Sequence, residues 1–567
     1  MLLGLLFVAL TLVMFRPGWS ALRTTLPANL GDPALIVWIY RWEGHALVHG
    51  GAHFYNANIF WPRPHTLAYA ENMISTSPAY NALYDATGSW AASLNITVLA
   101  LVVMCLAATY ALAKWLTRRV DAAVLAAIAF TFSGFVLGHW GATQLYALGF
   151  FPLAFLLLFR TLHERRPVMA VLAGLAIAAL VLGSLYYGAI FSWCAAVVVA
   201  GYLVAHRFRP GPGVLRSLAI TGVVAGVLIA PNAVPYWRVH NDLHFERSYA
   251  PAWGLKAVDF VSPAPGSYLY PGLARAADHR TEAFEHRFFA GFSVMLLAAI
   301  GLGALVRARL RRTAAEARSE PDPRRLFLWL TVLGGFAALI PASGPTILGH
   351  AGPFRLFHDY WPGFSGLRVT ARLAVPALLS FAVLAAFGFD TLTRHTAQRT
   401  RLVAAVGVGA LMLLEFAAPL HHAPLATDPA TLAVYRALAH RPAGAAVEIP
   451  MADPRVDGKQ WALVEAPRMV YSTIDFHPRV NGYSGYIPPG YYESINAFNA
   501  FPAPAALQRA SQLNVRYVVL HVGQHASDGT LGPRRAADML AALPPSSSAR
   551  RYGDSWLVDL TPSRSGG

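Results

Sequence analysis

The chain has 567 residues, of which 56% are hydrophobic and only 13% are charged, and its mean hydropathy is +0.43. Soluble domains are about half apolar and a quarter charged, so this composition excludes an ordinary soluble protein and indicates an integral membrane protein. The net charge of +16 and the pI of 10.0 could indicate nucleic-acid binding. The distribution of the basic residues favours a different explanation.

Long apolar stretches recur along the first three quarters of the chain. Each has about 18 residues or more, which as a helix is enough to cross the hydrocarbon core of a bilayer. They cover residues 1–18, 93–116, 121–138, 145–161, 168–186, 188–205, 216–234, 289–306, 326–342, 372–390 and 402–420. We therefore predict an α-helical polytopic membrane protein with about eleven transmembrane helices.

Basic residues cluster in every second short loop between these stretches. The clusters are Arg118 and Arg119; Arg160, Arg165 and Arg166; Arg207, Arg209 and Arg216; Arg307, Arg309, Arg311, Arg312, Arg324 and Arg325; and Arg394, Arg399 and Arg401. Because Lys and Arg are retained in cytoplasmic loops, this alternation predicts a cytoplasmic N-terminus and an extracytoplasmic C-terminal region. The positive charge is then an orientation signal, and no nucleic-acid partner is expected.

The predicted topology divides the chain at about residue 420. Residues 1–420 form a transmembrane domain with two large outer loops, 19–92 and 235–288. Loops of this length are usually functional or carry their own structure, so we expect any chemistry on the outer side. The first of them contains a helical apolar pattern over 36–47, which predicts an amphipathic helix in the membrane interface.

The C-terminal region, 421–567, has a different composition and enough residues for a small core of its own. Short β-type runs occur at 446–449, 515–520 and 556–558, and helical patterns at 431–440, 502–513 and 535–543 lie between them. This alternation predicts a small soluble α/β domain on the extracytoplasmic side.

Asp32 is the first candidate for chemistry, because Gly31-Asp32-Pro33 follows the first apolar stretch and opens the first outer loop. Asp before Pro at a helix start is typical of a helix cap, in which the carboxylate accepts an amide hydrogen bond. A carboxylate at this boundary could also remove a proton from an acceptor hydroxyl. The two interpretations are compatible, since a cap can orient a base.

Four short motifs carry a resemblance to a known family: Gly31-Asp32-Pro33, Asn58-Ile59-Phe60-Trp61-Pro62, Leu367-Arg368-Val369-Thr370-Ala371-Arg372 and Val480-Asn481-Gly482-Tyr483-Ser484-Gly485-Tyr486. With the span count, the long first loop and the soluble C-terminal domain, they make the chain similar to the GT-C superfamily of membrane glycosyltransferases. More narrowly, it resembles the YfhO-like group of bacterial membrane proteins. The resemblance implies a GT-C-like fold and sugar transfer.

In such enzymes a sugar passes from a polyprenyl-phosphate donor to a cell-envelope acceptor on the extracytoplasmic face of the bacterial inner membrane. By resemblance Asp32 matches the general base. Glu71 is a possible second acidic residue, or a surface residue without a role. The first loop lacks a paired acidic motif, so a divalent metal is possible but not supported, and the lipid-linked sugar is the one co-substrate expected.

The donor phosphate needs cations, and guanidinium groups can offer it paired hydrogen bonds. Arg368 and Arg372 lie one helical turn apart at the outer mouth of the tenth predicted span, where positive charge opposes the orientation rule. They are predicted to bind the phosphate, with Arg247 as a weaker candidate. The alternative for the pair is that both side chains anchor the helix end at the interface.

Three residues of short outer turns, His139, Gln144 and Tyr187, are candidates for lining the sugar or acceptor site. Their alternative is the aromatic and polar belt at the membrane surface. The predicted partners are the bilayer, the lipid-linked donor and an envelope glycan or lipid as acceptor. Two further interpretations of the whole chain are a lipid or polysaccharide transporter or flippase, and a non-catalytic envelope protein on the same scaffold.

Overall fold

The computed structural model describes residues 2–16, 21–209, 211–243, 251–311, 323–526 and 529–560. The chain forms two compact units. The helical unit comprises Met1–Pro17, Thr97–Val234 and Phe245–Leu420. The mixed unit comprises Gly18–Ile96, Pro235–His244 and His421–Gly567, so most of the predicted first outer loop folds together with the C-terminal region.

Every predicted apolar stretch coincides with a helix. Eight helical segments of the described chain are long and apolar enough to cross a membrane: Trp90–Thr117, Val120–Gly138, Thr143–Glu164, Leu185–Ala205, Pro212–Leu243, Phe292–Leu310, Pro323–Ala342 and Thr370–Thr393. Leu2–Phe15 and Pro167–Gly183 are shorter apolar helices. The helix Gln398–Phe416 has 19 residues but is not one of the eight candidate membrane spans.

Several of the long segments contain a break. Val120–Gly138 consists of the helices Val120–Thr131 and Gly134–Gly138, and Thr143–Glu164 begins with the 3₁₀ turn Thr143–Gly149 before the helix Phe150–Glu164. The last two candidate spans are divided in the same way: Pro323–Ala337 with Leu339–Ala342, and Thr370–Ala374 with Val375–Thr393. The helical unit also has the short helices Pro271–Asp278 and Phe354–Tyr360 and a hairpin of Thr346–Ile347 with His350–Ala351.

Two glycines allow a close contact between two helices of the helical unit. A Cβ on Gly301 would lie 2.2 Å from the carbonyl oxygen of Leu384, and one on Gly388 would lie 2.0 Å from that of Leu297. The helices Phe292–Leu310 and Val375–Thr393 therefore pack backbone against backbone, as small residues allow in membranes. This contact fixes the helix Val375–Thr393, which follows the 3₁₀ turn that contains Arg372.

A four-stranded sheet is the centre of the C-terminal part of the mixed unit. Its strands run in the order Ala445–Ile449, Val515–His521, Ser555–Asp559 and Ser548–Tyr552, the first pair parallel and the others antiparallel. The helices around it are Pro429–Leu438, Pro454–Asp457, Gln460–Ser472, Tyr491–Phe498, Pro504–Gln512 and Pro533–Ala541, and His525–Ala526 pairs with Gly529–Thr530. The predicted α/β character of this region is confirmed.

The first-loop helix, Asp32–Val48, is buried along almost its whole length, unlike the predicted interfacial helix. It packs on the helices Ser77–Thr87 and Gln460–Ser472 of the same unit. Nearby, the strand Thr25–Pro27 pairs antiparallel with His422–Pro424. The polar residues expected to face water are therefore partly enclosed by protein, because tertiary packing covers both faces of the helix.

A buried charge network joins the sheet to the segment that follows the helix Gln460–Ser472. Arg479 donates from Nε to Oε1 of Glu448 (2.8 Å) and from Nη2 to Oδ2 of Asp475 (2.7 Å). His521 Nε2 lies 2.8 Å from the other Glu448 oxygen. Burial alone would raise the pKa of Glu448, but His521 and Arg479 outweigh it and hold that pKa below its ordinary value. The carboxylate is thus paired and hydrogen-bonded, as a buried charge requires.

Replacement of Gly301 tests the close helix contact. We expect Gly301→Val to lower the free energy of unfolding of the detergent-solubilised protein by about 1–3 kcal/mol or more, because the added methyl groups force two backbones apart. Gly303→Val is the matched control, since nothing lies within 4 Å of a Cβ at that position. Thermal unfolding measures both; equal stability of the two variants would contradict the packing described.

Candidate active site

Asp32 is the first residue of the first-loop helix, with Gly31 as the N-cap and Pro33 in the first turn. The predicted capping interaction is therefore wrong, since the cap position belongs to Gly31. The Asp32 carboxylate, half-buried, accepts a 2.9 Å hydrogen bond at Oδ1 from the Tyr483 hydroxyl. A Cβ on Gly31 would lie 3.4 Å from Cβ of Ala462, so the start of this helix lies directly on Gln460–Ser472.

Glu71 is half-buried in a segment that Tyr236 holds on both sides. The Tyr236 hydroxyl donates to the carbonyl oxygen of Ala70 (2.6 Å) and accepts from the backbone N–H of Asn72 (3.0 Å). The backbone around Glu71 is thus fixed by a side chain from the end of Pro212–Leu243. All four residues belong to the mixed unit.

Glu43 is a buried carboxyl within the stretch 36–47 that was predicted to form an amphipathic helix. It is 0% exposed, and within the described residues neither of its oxygens has a hydrogen-bond partner. Burial raises the pKa of Glu43 from an ordinary 4.5 to about 8, and the nearby Ser77 hydroxyl opposes the shift only in part. Glu43 is therefore a neutral acid at pH 7.

Three of the residues near the predicted sugar and phosphate sites meet in the helical unit. Arg372 donates from Nε and Nη2 to the two oxygens of Glu285, at 2.9 and 2.7 Å, and His139 Nε2 lies 3.2 Å from the same carboxylate. Burial by itself would raise the pKa of Glu285, but Arg372 and His139 together hold it well below its ordinary value. Glu285 was not predicted as a site residue, because no local sequence pattern distinguishes it.

Arg368 has different surroundings from Arg372. Its side chain is exposed, and its guanidinium carbon lies 4.9 Å from the centre of the Trp253 ring, within cation–π range. The Tyr186 hydroxyl accepts from the backbone N–H groups of Arg368 and Val369 at 2.9 and 3.0 Å. Within the described residues no carboxylate forms an ion pair with Arg368, so its charge is available to an anion.

The remaining candidates differ in how their polar atoms are used. Tyr187 is buried and donates to the carbonyl oxygen of Leu145 (2.8 Å), which fastens the turn Thr143–Gly149. Gln144, in the same turn, is half-buried, and its Oε1 has no hydrogen-bond partner within the part of the chain that the structure describes. Arg247 lies outside the described residues.

No group of three or more His, Cys, Asp or Glu side chains in the described ranges could hold a metal ion. Arg372 and His139 are instead engaged with Glu285, and Asp32 with the hydroxyl group of Tyr483.

Comparison with solved structures gives a likeness in fold. The arabinofuranosyltransferase AftD from Mycobacteria is 15% identical over 99% of this chain and 39% of AftD, with a TM-score of 0.55. A mutant of AftD from Mycobacteria gives 14% identity over 99% and 41% of the two chains, with a TM-score of 0.56. The match to ArnT from Cupriavidus metallidurans bound to undecaprenyl phosphate covers 99% of both chains at 12% identity, but its TM-score of 0.46 is too low to establish a common fold.

The likeness to AftD shows a common fold, and the predicted architecture of a helical membrane protein with a small sheet region at its C-terminal end is confirmed. At these identities it establishes the fold alone. The chain spans about two fifths of the length of AftD. No protein-family model and no curated protein matches the sequence.

Glu285→Gln tests the buried ion pair. Removal of the charge leaves Arg372 without a counter-ion, and loss of one partner of a buried pair costs about 3–5 kcal/mol, less where the amide keeps one hydrogen bond. We expect a clear fall in the melting temperature of the detergent-solubilised protein. Glu282→Gln, at an exposed position three residues earlier, should leave it unchanged; a similar fall for both would contradict the pairing.

Glu43 predicts a pH dependence of stability. Because its pKa in the folded protein, about 8, exceeds the ordinary 4.5, its stabilising contribution is complete below pH 4.5 and is lost as the pH rises through 8. Glu43→Gln removes this dependence, so the variant should gain stability relative to wild type between pH 5 and pH 9. Melting temperatures of the variant and wild type measure this gain, with the exposed Glu493→Gln as control. A difference in melting temperature that stays constant from pH 5 to pH 9 would contradict the prediction.

Proposed function

We propose that the protein is a membrane glycosyltransferase that transfers a sugar from a polyprenyl-phosphate donor to a cell-envelope acceptor on the extracytoplasmic face of the bacterial inner membrane. The observation that carries the proposal is Asp32, a half-buried carboxylate at the start of the first-loop helix with a hydroxyl donor on one oxygen. The GT-C-type fold supports it, as does the name of AftD, an arabinofuranosyltransferase.

The proposed chemistry is a single displacement at the anomeric carbon. The acceptor hydroxyl gives its proton to Asp32 while its oxygen bonds to the anomeric carbon. The bond from that carbon to the phosphate oxygen breaks, and the polyprenyl phosphate leaves with the bonding electrons. One displacement inverts the configuration at this carbon, and the reaction then needs one base and one stabilised leaving group.

Arg368 is the proposed ligand of the leaving phosphate. Its guanidinium is exposed, lies beside Trp253 and has its backbone anchored by Tyr186. Arg372 is balanced by Glu285, so we assign it mainly to hold Glu285 and His139 in place, with phosphate contact as a shared role. Gln144 is the proposed sugar-lining residue, and Glu71 a second acidic group for the acceptor.

Asp32→Asn tests the base. A general base contributes about 10²–10⁴-fold to a rate, so we expect transfer to fall by at least about a hundredfold while the protein inserts and folds normally. Envelope glycans and polyprenyl-linked sugars, quantified by mass spectrometry in cells, report the reaction. Asp85→Asn, an exposed acid of the first loop, is the control and should leave it unchanged. Unchanged glycans in a well-folded Asp32→Asn strain would contradict catalysis.

Arg368→Ala should reduce transfer through both a weaker donor affinity and a slower step, because the guanidinium contacts the phosphate before and during its departure. Arg368→Lys should recover part of the loss, since it restores the charge but not the paired hydrogen bonds. The same glycan measurement applies, with the exposed Arg275→Ala as control. Equal transfer by Arg368→Ala and wild type would remove Arg368 from the site.

A further inference from the structure

The hydrogen bond between Tyr483 and Asp32 joins residues that are 451 positions apart in the chain. Asp32 comes from the first loop and Tyr483 from the C-terminal region, and both belong to the mixed unit. Within the described residues, Oδ1 of Asp32 accepts this one hydrogen bond from a side chain, and Oδ2 accepts none. The carboxylate is therefore held at one oxygen and open at the other.

Tyr483 is itself held firmly. Its ring meets Trp461 edge to face, with centroids 5.0 Å apart and planes at 79°. Its backbone N–H points at Sδ of Met469, 3.2 Å away, a weak acceptor. Both Trp461 and Met469 belong to Gln460–Ser472, the helix on which the first-loop helix packs. One helix therefore supports both partners of the hydrogen bond.

The residues before Tyr483 leave the loop little freedom. The Tyr491 hydroxyl donates to the carbonyl oxygen of Gly482 (3.1 Å) and lies 3.3 Å from its N–H. A Cβ on Gly482 would lie 3.0 Å from carbon atoms of the Phe60 ring, so the loop passes close against the first-loop segment. The loop is therefore held at Gly482 by Tyr491 on one side and by Phe60 on the other.

Asn481 fixes the same loop to the sheet. Its Nδ2 donates to the carbonyl oxygen of Glu448 (2.9 Å), and its Oδ1 accepts from the backbone N–H of Glu448 (2.7 Å). This pair of bonds copies the pairing of a neighbouring strand, and Glu448 is the centre of the buried charge network. The loop that carries Tyr483 is thus hydrogen-bonded to a buried strand of the sheet.

We propose that Tyr483 is a positioning residue for the Asp32 base. Its hydroxyl holds Oδ1 so that Oδ2 faces the acceptor and takes the proton. Tyr483 neither gains nor loses a proton in the step. The C-terminal region is then a part of the catalytic apparatus, and this inference rests on the proposed function of Asp32.

A double-mutant cycle separates positioning from a merely structural contact. Transfer rates are measured for wild type, Tyr483→Phe, Asp32→Asn and the double variant, with farnesyl-phosphate arabinofuranose as the donor probe and purified full-length protein in nanodiscs. Loss of one hydrogen bond should reduce kcat about five- to tenfold, with little change in KM for the donor. In the Asp32→Asn background the same change should alter kcat less than twofold, because the carboxylate it positions is gone.

Tyr486→Phe is the matched control, a tyrosine three residues further along whose ring packs against Tyr69. It should retain wild-type kcat, and thermal unfolding should show that all variants are folded. An equal loss of kcat in both backgrounds, or no loss in Tyr483→Phe, would overturn the positioning role.

Carbodiimide labelling of Asp32, read by peptide mass spectrometry, gives an answer that does not depend on transfer. The carbodiimide must be reached by a carboxyl oxygen, so loss of the hydroxyl that occupies Oδ1 should increase labelling of Asp32 in Tyr483→Phe relative to exposed Asp85. Labelling equal to wild type would overturn the inference. If wild type transfers no sugar from the probe while labelling increases, the proposed reaction with this donor fails and the contact between Tyr483 and Asp32 stands.

Discussion

The burial of the first-loop helix, Asp32–Val48, against Gln460–Ser472 is the constraint on which the rest of the site depends. Trp38 donates from Nε1 to Asn58 Oδ1 (2.9 Å), and Asn58 Nδ2 in turn donates to Oγ of Ser472 (3.1 Å). The helix, the loop after it and the C-terminal region are thus tied by satisfied buried polar groups as well as by apolar packing. The position of the candidate base follows from this packing, because Asp32 is the first residue of the buried helix.

The two units treat charge in the same way. In the mixed unit Arg479 is paired with Glu448 and Asp475, and in the helical unit Arg372 is paired with Glu285. In both units these ion pairs hold backbone segments in place. Among the candidate site residues that the structure describes, Asp32 has an oxygen that accepts no hydrogen bond from a side chain, and the exposed guanidinium of Arg368 forms no ion pair with a carboxylate. This division between paired and available charge is the physical basis for the roles assigned to these two residues.

Much of the fold was predictable, because hydropathy and period are local signals. All eleven apolar stretches form helices, and the strands at 446–449, 515–520 and 556–558 are present. The helix Gln460–Ser472 was missed because Pro467 lies inside it, and the edge strand Ser548–Tyr552 because it is polar and exposed. Asp32 and Arg368 stood out through their place beside apolar stretches. Glu285, the burial of Glu43 and the hydrogen bond of Tyr483 had no local signal, since each depends on partners far away in the chain.

Hydrogen exchange tests the central claim most directly, namely that the first-loop helix and the C-terminal region are one cooperative unit that holds Asp32. Amides of Asp32–Val48 and Gln460–Ser472 are followed by mass spectrometry in detergent at rising denaturant concentration. The account predicts that the two helices open with the same free energy, because neither buries its apolar face without the other. Exchange of Asp32–Val48 at a much lower free energy than Gln460–Ser472 would contradict it.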